Sequence, residues 1–315
     1  MTILQQASQN VPGFAPFYQK FLQRMTIYDR AKSTTASYGR SLASLALHFN
    51  RVPTELTPEQ IEEYLYTIKQ RYTGGSDNCF KFSIYSLRFV FRQEGMDELR
   101  IKLPPIKRSK KLPVVLSKEE ITTMMNSPRC LRHRVIIALL YGCGLRCGEL
   151  RNIKITDIDL NRAVLHVRQG KGKKDRYLPL GNTLLVLLKK YLEIEHPRNW
   201  LFTGKYRNTE YNRTFTLTES KYGQRSVQWI IKRAALLAGI RKPVNVHSLR
   251  HTYATHLLED GVSILTLKEL LGHASIFSTL IYLRVAQVAN SEKCSPLDSL
   301  KDLRILPATQ MRFSF

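Results

Sequence analysis

Phe14, Phe17, Phe21 and Met25 recur at spacings of three and four, which predicts an amphipathic helix near the start of the chain. The same period returns at Ile61, Tyr64, Leu65 and Ile68, just after Thr57-Pro58-Glu59-Gln60. That tetrapeptide reads as a helix start: Thr57 caps, Pro58 sits in the first turn and Gln60 closes a capping box. Gly74-Gly75-Ser76 breaks the pattern, and one more helix is expected from about residue 76 to 91. Residues 13–94 therefore read as a small bundle of four or five short helices.

Regular patterning stops over residues 101–113. Pro104 and Pro105 end it, and Lys107, Arg108, Lys110 and Lys111 follow with no acid among them. This stretch reads as an extended, DNA-contacting linker or as an ordinary solvated loop. Ser117-Lys118-Glu119-Glu120 is a second capping box, and helical patterns cover 117–126 and 131–141. Between residues 163 and 169 the period becomes two, with Val164, His166 and Arg168 opposed to Leu165 and Val167. A Gly170-Lys171-Gly172-Lys173-Lys174 turn and a second short strand over 176–180 complete a hairpin. The rest, to about residue 287, reads as helices. The expected fold is mainly α with a small β-sheet: a helical domain (1–100), a basic linker (101–113), a mixed α+β domain (114–287) and a tail (288–315) with an apolar end.

Charge changes the picture more than composition does. Among 315 residues, 43% are hydrophobic, enough for a core in each of two domains. No run of about 18 apolar residues suggests a membrane span, and the first ten residues lack the basic and apolar regions of a secretory signal. Lys and Arg number 49 against 25 acids, a net charge of +24, and the excess runs through both halves. Such a field draws polyanions, nucleic acid first among them; RNA, anionic lipid or mere solubility are the alternatives. The five cysteines include no CxxC pair, which suits reduced thiols in a cytoplasmic protein and offers no zinc site.

Five segments carry side chains suited to a phosphate. In Gly144-Leu145-Arg146-Cys147-Gly148-Glu149-Leu150, Arg146 could clamp phosphate oxygens and Glu149 could orient it, although the two could equally be a surface ion pair. Lys171 can project from its glycine-flanked turn with Lys173 and Lys174 beside it, or all three can be solvated. His247-Ser248-Leu249-Arg250-His251 opens a helix with His247 and Arg250 on one face. A zinc HExxH motif would need Glu where Ser248 stands. Gly272 reads as the residue that ends a helix, with His273 just beyond it. Tyr282, between apolar neighbours, would alone be read as a packing residue.

Taken in order, Arg146, Lys171, His247-x-x-Arg250, Gly272-His273 and Tyr282 resemble the tyrosine recombinase family of phage integrases, Xer-type resolvases and integron integrases. GLRCGEL, GKGKKDRYLPL, HSLRHTYATHLL and LLGHASIFSTLIY all match its pattern over about residues 115–287. Residues 10–100 resemble its helical, SAM-like core-binding domain more weakly. Cys147 after the first arginine and Leu283-Arg284 after the tyrosine depart mildly from the pattern. The resemblance implies a site-specific recombinase acting on double-stranded DNA. It implies a 3′-phosphotyrosine intermediate, a homo-tetramer at synapsis, accessory proteins in some systems, and no metal or other cofactor. The residues suit that chemistry on their own terms. Two guanidiniums compensate charge at phosphorus, Tyr282 supplies the nucleophile, and Lys171 protonates the leaving 5′-oxygen. His247 accepts the tyrosine proton or binds the phosphate, and His273 holds a non-bridging oxygen. A topoisomerase-like strand-passage enzyme could use the same residues. A DNA-binding regulator would not need the intact set, and a metal nuclease would need a cluster of acids that is missing.

Overall fold

We describe the protein from a computed structural model over residues 1–71, 78–106, 112–168, 175–205 and 219–289. These fall into two compact units that divide between Lys110 and Lys111.

The first unit is helical: α1 (Ile3–Asn10), α2 (Phe14–Ile27), α3 (Lys32–Phe49), α4 (Pro58–Arg71), α5 (Asn78–Gln93) and α6 (Asp97–Lys102). The periodic residues do what their spacing predicts: Phe14, Phe21 and Met25 of α2 are buried, as are Ile61, Tyr64 and Leu65 of α4. The Thr57 box closes, the Thr57 backbone N–H donating to Gln60 Oε1 at 3.0 Å. Helix α1 extends the bundle beyond the sequence reading, which began at residue 13. Its start is another capping box, Thr2 with Gln5. The chain from 101 to 104 is held against this unit: Leu103 is buried, and Arg88 donates to the carbonyls of Leu103 and Pro104 at 3.3 and 2.9 Å. Gly74-Gly75-Ser76 and Lys107, Arg108, Lys110 and Lys111 lie outside the described residues.

The second unit opens with α7 (Lys118–Asn126), capped by Ser117 and Glu120 as expected, and α8 (Leu131–Gly142). After a polar first turn, helix α8 is apolar on every face from Val135 through Leu140, all buried, so this part of it runs through the core. It leads by a short turn into α9 (Cys147–Arg151). A three-stranded antiparallel sheet follows in the order β1 (Ile158–Asp159), β2 (Val164–Val167), β3 (Arg176–Pro179). The period-two reading holds: Leu165 and Val167 face the core, and β2 pairs with β3 in the register Leu165↔Leu178 and Val167↔Arg176.

Helix α10 (Asn182–Glu195) precedes a second, two-stranded sheet, β4 (Thr203–Lys205) and β5 (Glu219–Lys221). The helical reading of this region is corrected there: Gly204 and Ser220 face each other across the ladder, and neither strand is long enough to show a period. Four helices complete the unit: α11 (Gln224–Leu237), α12 (Val246–Glu259), α13 (Ile264–Leu271) and α14 (Leu280–Ala289). Among the described residues, no single helix is long and apolar enough to cross a membrane.

The turn after α8 depends on Gly144. Its φ is +57°, and a Cβ there would lie 2.3 Å from the Tyr253 ring of α12. Gly144→Ala therefore combines backbone strain with a steric clash that must displace the Tyr253 ring. It should destabilise the protein by about 1–3 kcal/mol, read as a lower denaturant midpoint. An unchanged midpoint would mean that this packing is not tight.

Candidate active site

The α8–α9 turn, β3, the start of α12, the end of α13 and α14 bring their polar side chains together around one buried carboxylate. Arg146 stands at the N-cap of α9, and Glu149 reaches back to it, accepting from its backbone N–H at 2.8 Å and from Nη1 at 2.7 Å. The sequence reading of Glu149 as the residue that orients Arg146 thus has its geometric counterpart.

The same carboxylate takes a two-pronged contact from Arg176, Nη1 to Oε1 at 3.1 Å and Nη2 to Oε2 at 2.9 Å. Arg176 also donates through Nε to the Leu270 carbonyl at 2.8 Å, which ties β3 to the end of α13. Burial alone would push the Glu149 carboxyl up. The hydrogen bond and charge of Arg176, and then the contacts from Arg146, override it and hold the group down at about 2. Arg176 was not singled out from the sequence. The residue stands at the start of β3, paired with Val167.

Arg250 is only 3% exposed, which requires partners on the spot. Its Nη1 donates to the Gly144 carbonyl and its Nη2 to the Leu271 carbonyl, both at 2.6 Å. The second acceptor is the last turn of α13, where the helix dipole favours a cation. Burial, with the like charges of Arg146 and Arg176, lowers the Arg250 pKa to about 10, and Glu149 opposes the shift. Arg250 stays charged at neutral pH.

Gly272 ends α13 in the left-handed conformation at φ +61°, and His273 follows it as expected. Arg250 Nη2 lies 3.2 Å from His273 Nε2, and His273 Nδ1 lies 2.9 Å from Thr279 Oγ1. A guanidinium can only donate, so Nε2 is the acceptor and the ring proton sits on Nδ1, facing Thr279.

Tyr282 is buried against these groups. Its ring stacks on His273 at 6.4 Å between centroids, and its hydroxyl is 3.0 Å from His251 Nδ1. Burial raises the phenol pKa, while Arg250 and Arg146 pull it down. His247 is exposed at the start of α12 and makes ring contact with His251 at 6.4 Å. Desolvation, Arg250 and Arg146 lower its pKa. The residue on the tyrosine hydroxyl is therefore His251, while His247, read from the sequence as accepting the tyrosine proton or binding the phosphate, stands one turn before it on α12. Tyr253, the other tyrosine near Arg250, packs on Gly144 and is raised to about 12, chiefly by burial.

Arg146, His247, Arg250, His273 and Tyr282 all lie around this one place. Lys171, Lys173 and Lys174 lie outside the described residues, and so do residues 290–315 of the tail. Ser248, where a zinc motif would need Glu, pairs with Asn245 to cap α12. Among the described residues, no three His, Cys, Asp or Glu side chains gather as a metal site.

The depressed Glu149 pKa has a consequence for stability. Its stabilisation is fully present above the ordinary carboxylate value of 4.5 and is lost as pH falls toward about 2. That shift corresponds to roughly 3 kcal/mol. In denaturant melts, Glu149→Gln should be less stable than wild type near neutrality, with the gap closing between about pH 5 and pH 2. A gap independent of pH would show that the carboxylate charge does not hold these arginines.

The sequence pattern of the phage integrase family matches residues 114–288. The tyrosine recombinase XerA of Thermococcus onnurineus is 39% identical over 222 residues, covering 70% of this chain and 75% of that protein. XerA of Pyrococcus furiosus is 33% identical over 288 residues, covering 90% and 95%. In fold, the chain is similar to the XerH site-specific recombinase bound to a palindromic difH substrate. The TM-score is 0.65 at 18% identity, over 94% of each chain. It is similar too to the Tn1549 transposon integrase in complex with a circular-intermediate DNA, with a TM-score of 0.62 at 16% identity over 88% and 99%. With its site sequence in family order, its family match over more than half of its length and relatives of this identity, the chain belongs to the phage integrase family, the tyrosine recombinases.

Proposed function

We infer that this protein is a site-specific DNA recombinase that cuts and rejoins strands by forming a 3′-phosphotyrosine bond through Tyr282. The observation that carries the reading is the placement of the Tyr282 hydroxyl in a buried cluster with Arg250, Arg146 and His273. A phosphodiester entering there meets two guanidiniums. Arg146 is partly exposed and engages Glu149 through Nη1, so it keeps donors for a non-bridging oxygen. Arg250 carries five N–H groups and spends three contacts on protein, so it retains donors as well. Both are held in place before substrate arrives, the condition under which charge compensation costs no reorganisation.

In the reaction we propose, the Tyr282 oxygen attacks phosphorus, the bond to the 5′-oxygen breaks, and Lys171 protonates the leaving oxygen. Reversal by a different 5′-hydroxyl rejoins strands in a new pairing. His247, on the exposed side of the cluster, is suited to contact the phosphate. His273 offers Nε2 as an acceptor to Arg250, so its contact with a non-bridging oxygen calls for a proton on Nε2, which the Thr279 hydroxyl allows by donating to Nδ1 instead. The DNA substrate is a specific double-stranded recombination site met in the cytoplasm. The basic residues Lys107, Arg108, Lys110, Lys111, Lys173 and Lys174 add phosphate contacts. Synapsis of two sites calls for a homo-tetramer, with the 288–315 tail as a contact between protomers and accessory proteins as system-dependent additions. Strand passage without synapsis is not favoured, because relatives matching most of the chain carry recombinase names.

Tyr282→Phe deletes one hydroxyl and keeps the ring. It should abolish covalent adducts on nicked DNA in denaturing gels while leaving gel-shift affinity near wild type, since affinity rests on many phosphate contacts. Adducts that persist would assign the nucleophile elsewhere. Arg250→Ala and Arg146→Ala should each slow single-turnover cleavage by roughly 10²–10³, more than His273→Ala does. Cleavage near the wild-type rate in both arginine variants would remove them from the phosphate.

A further inference from the structure

We propose that His251, not His247, is the base that takes the phenol proton from Tyr282 during attack on the phosphodiester. The proposal rests on the reading of Tyr282 as the nucleophile and adds a residue to its chemistry.

The geometry is direct. His251 Nδ1 is 3.0 Å from the Tyr282 hydroxyl, and the two rings are 5.6 Å apart. A base must reach the proton it removes before its pKa matters, and this contact meets that condition in the DNA-free protein. His247 sits one turn earlier on α12 and touches the His251 ring, with its own ring open to solvent. Its contact is with the His251 ring, whereas the Tyr282 hydroxyl is on His251.

The direction of the hydrogen bond follows from acidity. A phenol is a far stronger acid than the N–H of a neutral imidazole, so the hydroxyl donates and Nδ1 accepts. His251 is neutral at physiological pH, because burial, His247 and Arg250 push its pKa down to about 4. The groups around the pair can be named element by element. His247 and Arg250 come from α12, Tyr282 from α14, Arg146 from the α9 cap, and His273 from the end of α13. The arginines of that set also face the Glu149 carboxylate, which is engaged by Arg146 and Arg176 and lies 3.8 Å from Arg250. A phosphodiester adds a further anion beside Arg250 and raises the basicity of His251 where the proton must go.

The step balances. The Tyr282 O–H bond breaks toward His251 Nδ1 as the oxygen–phosphorus bond forms. The bond from phosphorus to the 5′-oxygen breaks, and that oxygen takes a proton from the acid assigned to it, Lys171. On rejoining, the imidazolium of His251 returns its proton to the departing phenolate.

The test separates the hydrogen bond from the proton transfer. In His251→Asn, an amide oxygen can still accept from the Tyr282 hydroxyl but cannot carry its proton away. The probe is a suicide duplex built on the site at which wild-type protein becomes trapped. It is made with the ordinary 5′-oxygen and with a 5′-sulfur, which leaves without needing a proton. We expect His251→Asn to bind the duplex like wild type, to form adducts roughly 10²–10⁴-fold more slowly, and to gain nothing specific from sulfur. It should also lose the acid limb of the wild-type pH profile, where His251 becomes protonated and the rate falls. His247→Asn should keep that limb. His251→Asn with a wild-type rate and profile would overturn the proposal, and so would a slow variant that sulfur restores, which would place His251 on the leaving-group side. Adducts formed by Tyr282→Phe would instead overturn the nucleophile reading, and this result is independent of the other two.

Discussion

A single buried carboxylate holds the site together. Glu149 accepts from Arg146 and from Arg176, and its nearer oxygen lies 3.8 Å from Arg250. Three guanidiniums that would otherwise repel one another are thereby drawn to one point. Their host elements, the α9 cap, β3 and α12, come from segments far apart in the chain. Removing the anion from such an arrangement leaves like charges facing each other in a region of low polarity, and breaking a buried pair of this kind costs far more than an exposed one contributes. Arg176 transmits the constraint outward. Its Nε holds the end of α13, and that end supplies both the Leu271 carbonyl on Arg250 and the His273 ring.

This design explains why a helix so poor in hydrophobic segregation lies deep in the unit. Helix α12 buries Ser248, Arg250, Thr252, Thr255 and His256 alongside its apolar residues. Each buried polar group needs a partner, and several have one: Ser248 in the cap and Thr252 on the Ser248 carbonyl at 2.8 Å are local, while His256 meets Tyr141 of α8 at 2.9 Å. The helix gives up a clean apolar stripe, and the charge of Arg250 comes to rest at the base of the cluster where Tyr282 lies.

Much of this was legible in the sequence, because much of it is local. The capping boxes at Ser117 and Thr57, the end of α13 at Gly272 and the alternation in β2 are each written within a few residues, and each is found where it was read. The pair of Arg146 and Glu149 belongs to the same class, being three residues apart. Arg176 and His251 were not assigned roles because their partners come from elsewhere: the Arg176 ion pair spans 27 positions and the His251 contact spans 31. No periodicity encodes such a meeting. The missed β4–β5 pair fails for another reason, since three-residue strands carry too little pattern to compete with the helical period around them. Helix α1, by contrast, did announce itself through Thr2 and Gln5, a capping box as explicit as the others.

The positions of the two inner histidines show how one cluster divides labour between rings of the same chemistry. His273 is fixed by a donor on one side, Arg250, and by the Thr279 hydroxyl on the other, so its orientation is determined before DNA arrives. His251 has the phenol on Nδ1, and its pKa is held at about 4 by burial, His247 and Arg250. In the proposed reaction, a phosphate placed against Arg250 weakens both restraints together. It competes for the guanidinium donor that occupies His273 Nε2, and its charge offsets the field that keeps His251 from accepting a proton. Binding and activation are thus linked through one arginine. In the proposed reaction the buried Tyr282 phenol becomes a competent nucleophile only when the anion it attacks is in place, which limits unproductive chemistry in the DNA-free protein.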